Sequence, residues 1–262
     1  ARTWLDVLVR IMADDARRAA MVADLVHPKW LLMLVRPGLA RDDVPLVLEF
    51  VGMLLSTSPS LAQTWTRLGG FRVLERTLPP HWDVPCVLPW MWTLLLGPHA
   101  PKSSLYHTFA HATAVAHPQA LRVIVQCMTH GMMACRTAPA KRRASLPHIP
   151  APPPGLTALE DSVRLLVVHS HNEDVRALLM LAPTLVAVLR ATAPCFVDEP
   201  CGPRVCALCD ALVDMLAACI AELVLSSHTL TLLHNLHAVA MPTSDPLIQS
   251  RLCTAVYIPL LA

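Results

Sequence analysis

Glycine, aromatic residues and charge are all scarce in this 262-residue chain. Glycine occurs only 8 times, and aromatic residues make up 5% of the sequence. Strand-rich domains need glycine at turns and aromatic or β-branched runs along strands, so both shortages argue against a β fold. Charged residues make up 15%, and the formal net charge is +2. Without a broad basic field, nucleic-acid binding has little support, and we expect no nucleic-acid partner.

Hydrophobic residues make up 54% of the chain, which raises the question of a membrane span. Such a helix needs about 20 mainly apolar residues. The uncharged stretch 84–101 carries four prolines, the apolar stretch 177–189 is short, and the uncharged stretch 223–244 holds three histidines. We therefore predict buried helices at all three places and no transmembrane segment. Because the chain begins at Ala1 rather than Met, we also expect it to be a piece of a longer protein.

Apolar residues recur at helical spacing, which predicts an all-α fold. Each stripe is one-sided, so each helix must pack against neighbours. The 24 prolines lie mostly between the stripes, where they stop one helix and start the next. The stripes comprise Trp4, Leu5, Leu8, Val9 and Met12; Leu46, Phe50, Met53 and Leu54; and Leu208, Leu212, Met215, Cys219 and Leu223.

Three segments share a layout of short helix, break, second helix and stop at proline. Their breaks fall at Pro28, Gly70 and Pro183. The first two breaks are 42 residues apart, close to the period of about 40–47 residues in armadillo and HEAT arrays. The alternative is a coincidence of helix-stop chemistry, which any all-α protein would show. We predict an armadillo- or HEAT-like irregular helical solenoid.

A proline-rich basic stretch, residues 134–155, divides the chain into helical-repeat blocks at 1–133 and 156–262. It reads ACRTAPAKRRASLPHIPAPPPG and has no apolar period, which is typical of a loop or linker. Within it Arg142, Arg143 and Ser145 resemble the site of a basophilic kinase. The alternative is a solvated basic patch that keeps the loop soluble. Just beyond, Asn172 is predicted to cap the following helix.

Four of the nine cysteines lie within fifteen residues. Cys206 and Cys209 have the spacing of zinc ligands. However, Cys206 opens a long helical stripe, and residues three apart on a helix share a face, so both thiols can simply fill the core. We therefore expect free thiols in a reducing compartment and no metal or cofactor, with Cys201, Cys206 and Cys209 as the weak metal candidates. The full group is Cys195, Cys201, Cys206 and Cys209, with His228, His234 and His237 downstream.

No catalytic constellation is evident in the sequence, so we predict a protein that is not an enzyme. His107 and His111 have the spacing of a zinc protease motif, but Thr108 stands where the motif needs its general-base glutamate. There is no G-x-S-x-G nucleophile motif. The only glycine pair, Gly69-Gly70, is not followed by the Lys-Ser/Thr of a phosphate loop.

Residues 68–97 contain, in this order, a glycine pair with phenylalanine, a helix, a His-Trp pair, a helix and a terminal Leu-Leu-x-Gly. This order resembles the helical region upstream of the BEACH domain in large BEACH-family proteins of the Alfy, beige and neurobeachin type. Trp90-Met91-Trp92 departs from that pattern in being unusually rich in tryptophan. The matching positions are Gly69, Gly70, Phe71, Leu74, Leu78, His81, Trp82, Pro89, Trp90, Leu94, Leu95, Leu96 and Gly97.

The resemblance implies an armadillo-like scaffold segment in membrane trafficking or autophagy, without an activity of its own. It implies a cytoplasmic protein that binds protein partners or other domains of the same large chain. Peripheral association with endomembranes through the full-length protein is also implied. The sequence offers a competing function, an all-α metal-binding or enzyme domain that uses the Cys195–Cys209 group.

The same motif has a physical interpretation that does not depend on the family. The glycine pair allows a sharp turn between helices. Phe71 and Trp82 are predicted to be buried at one inter-helix junction, and Trp90 is predicted to cap a neighbouring junction. Pro85 suits the first turn of the next helix.

Overall fold

The computed structural model describes residues 2–137, 155–181, 184, 187–188 and 203–223. Within these ranges the regular secondary structure is entirely helical and includes no strand. This confirms the all-α class. The armadillo- or HEAT-like arrangement of the helices stays a prediction.

The described helices alternate with short turns, several of which contain proline or glycine. Their bounds are α1 Arg2–Ala13, α2 Ala16–Leu25, α3 Pro28–Leu34, α4 Val44–Thr57, α5 Pro59–Arg67, α6 Gly70–Thr77, α7 Val87–Leu96, α8 Leu105–Phe109, α9 Ala120–Thr137, α10 Leu156–His169, α11 Glu173–Leu179 and α12 Pro203–Leu223. Two 3₁₀ turns, Arg41–Asp43 and Pro79–His81, precede α4 and follow α6.

The chain divides into two compact units, and the division falls inside α9. The first unit comprises Ala1–Cys127 with Pro154–Ala158, and the second comprises Met128–Pro153 with Leu159–Ala262. The predicted boundaries at 133 and 134 therefore need correction, because α9 continues without a break to Thr137. Buried side chains of α9 extend as far as Met132, and the helix continues beyond the point where the apolar period ends, on which the loop boundary was based.

Helix α4 is the centre of the first unit, since α1, α2, α5 and α7 all pack on it. The buried residues cover a little over half of the circumference, so the helix is one-sided as predicted, although Leu46 and Met53 of the predicted stripe are half-buried. A wide apolar face of this kind is typical of a helix with several neighbours. The buried residues of α4 are Val44, Val47, Leu48, Phe50, Val51, Gly52, Leu54 and Leu55.

Helix α1 follows its predicted stripe except at one residue. Leu5, Val9 and Met12 are buried and Leu8 is half-buried, whereas the Trp4 side chain is 77% exposed. Trp4 lies next to Leu5 in sequence but about 100° away around the helix, so it faces outward when Leu5 faces α4. The assignment of Trp4 to the core stripe was wrong.

Several helices begin at a side chain that caps the first turn. Asp15, Ser58, Ser104 and Asn172 each accept a hydrogen bond from a backbone N–H of the following helix. The prediction for Asn172 is confirmed: its Oδ1 is 2.9 Å from the Asp174 nitrogen, and acidic side chains follow in the first turn of α11. These carboxylates favour the positive end of the helix dipole.

In the second unit, α12 has the predicted apolar stripe up to Cys219, and the side chain of Leu223 lies outside the described residues. Leu208, Leu212, Met215 and Cys219 are buried. At the start of α12 the Arg204 guanidinium donates to both carboxylate oxygens of Glu160 on α10, at 2.6 and 2.7 Å.

No single helix in the described ranges has both the length and the hydropathy of a membrane span. The consecutive segments Arg41–Thr57 and Pro59–Arg67 meet them only jointly, and they are bent by 115° at Ser58. In the stretch 84–101, the helical part is α7, and most of its residues are buried as predicted.

Candidate functional site

The first three helices carry most of the exposed large hydrophobic side chains. Among the described residues, seven of the ten such side chains lie between positions 4 and 33. We call this set the N-terminal apolar face. It comprises Trp4, Val7 and Ile11 on α1, Met21 and Leu25 on α2, and Trp30 and Met33 on α3.

Helical spacing groups these residues on each helix. Trp4, Val7 and Ile11 are three and four residues apart and so share one side of α1. The exposed fractions are large, reaching 84% at Leu25. Trp30 is partly anchored, because its ring meets Phe50 edge-on at 5.9 Å. Exposed apolar side chains on three consecutive helices make this part of the chain the candidate interaction surface.

The charges near the N-terminal apolar face are mixed. On α1 the Arg10 guanidinium pairs with Asp6 at 3.0 Å. Within the described ranges, Arg17 and Lys29 form no ion pair, and neither does the acidic Asp24. Since neither sign dominates, the apolar side chains rather than a net charge give this face its character.

A shallow groove of about 290 Å³ follows one side of α7. It is lined by Pro85, Cys86, Pro89, Trp90 and Thr93. Pro85 is exposed and the other four are half-buried, so the groove is open to solvent along its length. Pro85 lies in the turn before Val87, where α7 begins, so its predicted place in the first helical turn was wrong.

The glycine–phenylalanine motif forms the turn between α5 and α6. Gly69 has φ +84°, a left-handed conformation that favours glycine, and it caps α6. Phe71 is 5% exposed and packs edge-on against Trp65, with ring centroids 5.1 Å apart. Trp82 is 7% exposed. The predicted burial of Phe71 and Trp82 is confirmed, while their sharing of one junction stays a prediction.

Trp90 is only half-buried, and its ring lies against α4. A Cβ built on Gly52 would come within 2.4 Å of Trp90 Cε3, so the absence of a side chain at Gly52 admits the indole. Gly97 ends α7 with φ +84°. The sequence did not predict the contact between Gly52 and Trp90, because no local signal identifies a helical glycine as the packing partner of a distant tryptophan.

The structure separates the histidine pair, and most of the cysteine group lies outside the described residues. Helix α8 ends at Phe109, so His107 is helical and His111 lies beyond the helix, contrary to a shared helix face. No cluster of three potential metal ligands occurs among the described residues. Cys209 is buried. Outside the described residues lie Cys195, Cys201, the side chain of Cys206, and His228, His234 and His237.

Four thiols of the described ranges have raised pKa values. Burial raises the pKa of Cys86 to about 11, with a smaller contribution from the Glu49 carboxylate. Burial also raises the pKa of the Cys127, Cys135 and Cys219 thiols. A nucleophilic cysteine needs the opposite shift, so these four thiols are poor nucleophiles at neutral pH.

The predicted kinase site cannot be placed on the structure, because Lys141, Arg142, Arg143 and Ser145 lie outside the described residues. Comparison with protein families, curated proteins and solved structures finds no match. The resemblance to BEACH-family proteins therefore depends on the motif at residues 68–97 alone.

Proposed function

We propose that this chain is a non-catalytic helical scaffold segment that acts through protein–protein or intramolecular contacts. The observation that carries the proposal is the N-terminal apolar face, on which two tryptophans, two methionines, a leucine, a valine and an isoleucine are exposed. Following the resemblance at residues 68–97, we further propose that the segment belongs to a BEACH-type protein of membrane trafficking or autophagy. Its place is then the cytoplasm, with peripheral association with endomembranes.

Burial of the N-terminal apolar face against a partner is energetically favourable. Burying one large apolar side chain stabilises a contact by about 1.5–3 kcal/mol, before the costs of association are subtracted. Tryptophan and methionine are enriched in protein interfaces, where aromatic anchors supply most of the binding energy. Trp4 and Leu25, at 77% and 84% exposed, have the most surface to offer a partner.

Cross-linking through Lys29 tests the proposal. Lys29 lies one turn before Met33 on α3, next to Trp30 of the N-terminal apolar face, whereas Lys102 is an exposed lysine far from it in sequence. We expect amine-reactive cross-linking in cells, followed by mass spectrometry, to join Lys29 to another protein or another domain of the same large chain. A variant with Trp4, Met21, Leu25 and Met33 all changed to Gln should lose these cross-links and keep those of Lys102.

The control for this variant is its fold. All four positions are more than 60% exposed, so circular dichroism and the thermal midpoint should stay close to those of the wild type. Cross-links from Lys29 that survive in the folded variant would contradict the role of the face. Cell fractionation tests the localisation, since the proposal requires the chain in cytosolic and endomembrane fractions.

Metal analysis separates this proposal from the alternative drawn from the cysteine spacing. One zinc per purified chain that is lost in a Cys206→Ser, Cys209→Ser variant would favour a metal-binding domain. The scaffold proposal expects no stoichiometric metal. The raised pKa of Cys86 and Cys127, which burial causes, supports a packing role for the described thiols.

A further inference from the structure

Two long helices of the first unit repeat one sequence pattern. Residues 43–55, which include most of α4, and residues 83–95, which include most of α7, lie 40 positions apart and share seven identical residues. Burial agrees at every position of the two segments except one, where Phe50 is buried and Trp90 is half-buried. The identical pairs are Asp43/Asp83, Val44/Val84, Pro45/Pro85, Val47/Val87, Leu48/Leu88, Leu54/Leu94 and Leu55/Leu95.

Helix α1 has the same place in its own repeat as α4 has in the next. The helix after α1 is capped by Asp15, and the helix after α4 is capped by Ser58. When these two N-caps are aligned, the buried residues of α1 fall opposite buried residues of α4, and Asp6 falls opposite Glu49. Helix α1 packs on α4, and α4 packs on α7. The three long helices therefore form a series in which each packs on the next.

The largest difference in burial between α1 and α4 lies on one side of the helix. Trp4, Val7 and Ile11 are 77%, 42% and 39% exposed. The residues opposite them in α4 are apolar as well, but each is at most 4% exposed. These are Val47, Phe50 and Leu54. The same apolar side is thus buried in α4 and exposed in α1.

The preceding repeat covers this side in both α4 and α7. Trp90 of α7, which corresponds to Phe50 of α4 and to Val7 of α1, lies against the backbone of Gly52 in α4. An added Cβ at Gly52 would be 2.4 Å from the Trp90 ring. Phe50 in turn meets Trp30 of α3 edge-on, with ring centroids 5.9 Å apart. In each case a large side chain on this side of the long helix packs on the helices that come before it.

We propose that Trp4, Val7 and Ile11 pack against a further helical repeat that precedes α1 in the same large chain. The outermost repeat of a stack needs a polar outer face, because no neighbour covers it. This side of α1 is apolar instead, which is the character of a repeat inside a stack. The inference deepens the proposed scaffold function, on which it rests, by naming what covers the α1 part of the N-terminal apolar face.

Site-specific photo-cross-linking of the full-length protein in cells tests this proposal. The photoreactive residue p-benzoylphenylalanine replaces Trp4 in one variant and Val7 in another. We expect each variant, after irradiation and mass spectrometry, to be joined to a peptide of the same chain about 40 residues before the substituted position, which is one repeat period. The product should keep the mass of a single chain on a denaturing gel, because the link is intramolecular.

Ala13→p-benzoylphenylalanine is the matched control. Ala13 is exposed on the same helix and lies nine residues after Trp4, which places it about 180° away around the helix. It should therefore give no link to the preceding repeat. The same product from all three positions would contradict a contact confined to the apolar side of α1.

Two further outcomes would overturn the inference. The first is a link from Trp4 or Val7 to a different polypeptide, or to a second copy at twice the mass of the chain, and it would leave the scaffold proposal in place. The second is the absence of any protein product at both positions. In that case the cross-links of Lys29 decide separately whether the rest of the N-terminal apolar face has a partner.

Discussion

The indole of Trp65 lies directly against the backbone of Gly70, and a Cβ at position 70 would be 2.1 Å from Trp65 Cδ2. Both Trp65 and Gly70 are buried, and the Phe71 ring meets the indole edge-on at 5.1 Å. Gly70 is the first residue of α6 and does not have a positive φ. Position 70 therefore needs glycine because any side chain would collide with the indole. Position 69 needs glycine because its backbone is left-handed.

Gly70→Ala should destabilise the protein by about 1–3 kcal/mol, the usual cost of forcing an extra carbon into a packed core. Urea unfolding followed by circular dichroism measures the change. Gly38→Ala measures a different cost, that of the left-handed backbone, because Gly38 has φ +86° and an added Cβ there would meet no atom within 4 Å. A neutral Gly70→Ala would contradict the steric account.

Alanine substitutions of buried and exposed aromatic residues should differ clearly in their effect on the free energy of unfolding. Phe71→Ala and Trp82→Ala are each expected to cost about 3–5 kcal/mol in the free energy of unfolding, because each side chain is almost wholly buried. Trp4→Ala removes an equally large ring that is 77% exposed and should change stability by less than about 0.5 kcal/mol. A neutral Phe71→Ala would mean that the register of α6 is wrong.

Trp4 and Phe71 also show which burial can be predicted from the sequence and which cannot. The sequence places Phe71 in the core correctly because a glycine turn fixes where α6 begins and hence which side meets α5. It misplaces Trp4 because apolar residues occupy adjacent positions on two sides of α1, and spacing alone does not say which side α4 covers. The groove at Trp90 could not be predicted, since Gly52 is 38 positions away in sequence and carries no local signal.

The protonation of His117 should make stability depend on pH. Its ring lies 6.0 Å from the Phe71 ring, and burial lowers its pKa, partly offset by a hydrogen bond with the Leu55 backbone. The folded state thus favours neutral His117, and the unfolded chain binds the proton more readily. Stability is full above the unfolded pKa of about 6.5 and falls as the pH decreases below it.

Thermal midpoints measured at about pH 7.5 and about pH 5.5 provide the test, since this interval spans the ordinary histidine pKa. The midpoint should drop on acidification, and the drop should be smaller in His117→Gln. His111→Gln, at an exposed position outside any described helix, should keep the wild-type drop. An unchanged drop in His117→Gln would assign the pH dependence to other groups.

The proline-rich basic stretch gives the last prediction, with its bounds revised by the structure. Residues through Thr137 belong to α9, and Gly155 lies against Asp83, whose carboxylate is held by the Arg41 guanidinium at 2.7 Å. Replacing residues 141–153 with a Gly/Ser sequence of equal length should therefore leave the thermal midpoint nearly unchanged. The same replacement removes Ser145 together with the basic triplet that ends in Arg142 and Arg143.

Gly155→Ala is the matched contrast to this replacement. Gly155 has φ +93°, and an added Cβ would lie 2.7 Å from Asp83 Cα, which is backbone and cannot turn aside. This single methyl group should cost more stability than the exchange of residues 141–153, because it displaces packed backbone. If the loop replacement unfolds the protein, residues 141–153 are a packed structural segment, and regulation through Ser145 should be dropped. If the fold survives, regulation remains open, because phosphate on Ser145 would add about −2 charge beside two arginines. Phosphoproteomics of the wild-type chain then decides between a regulatory segment and a plain spacer.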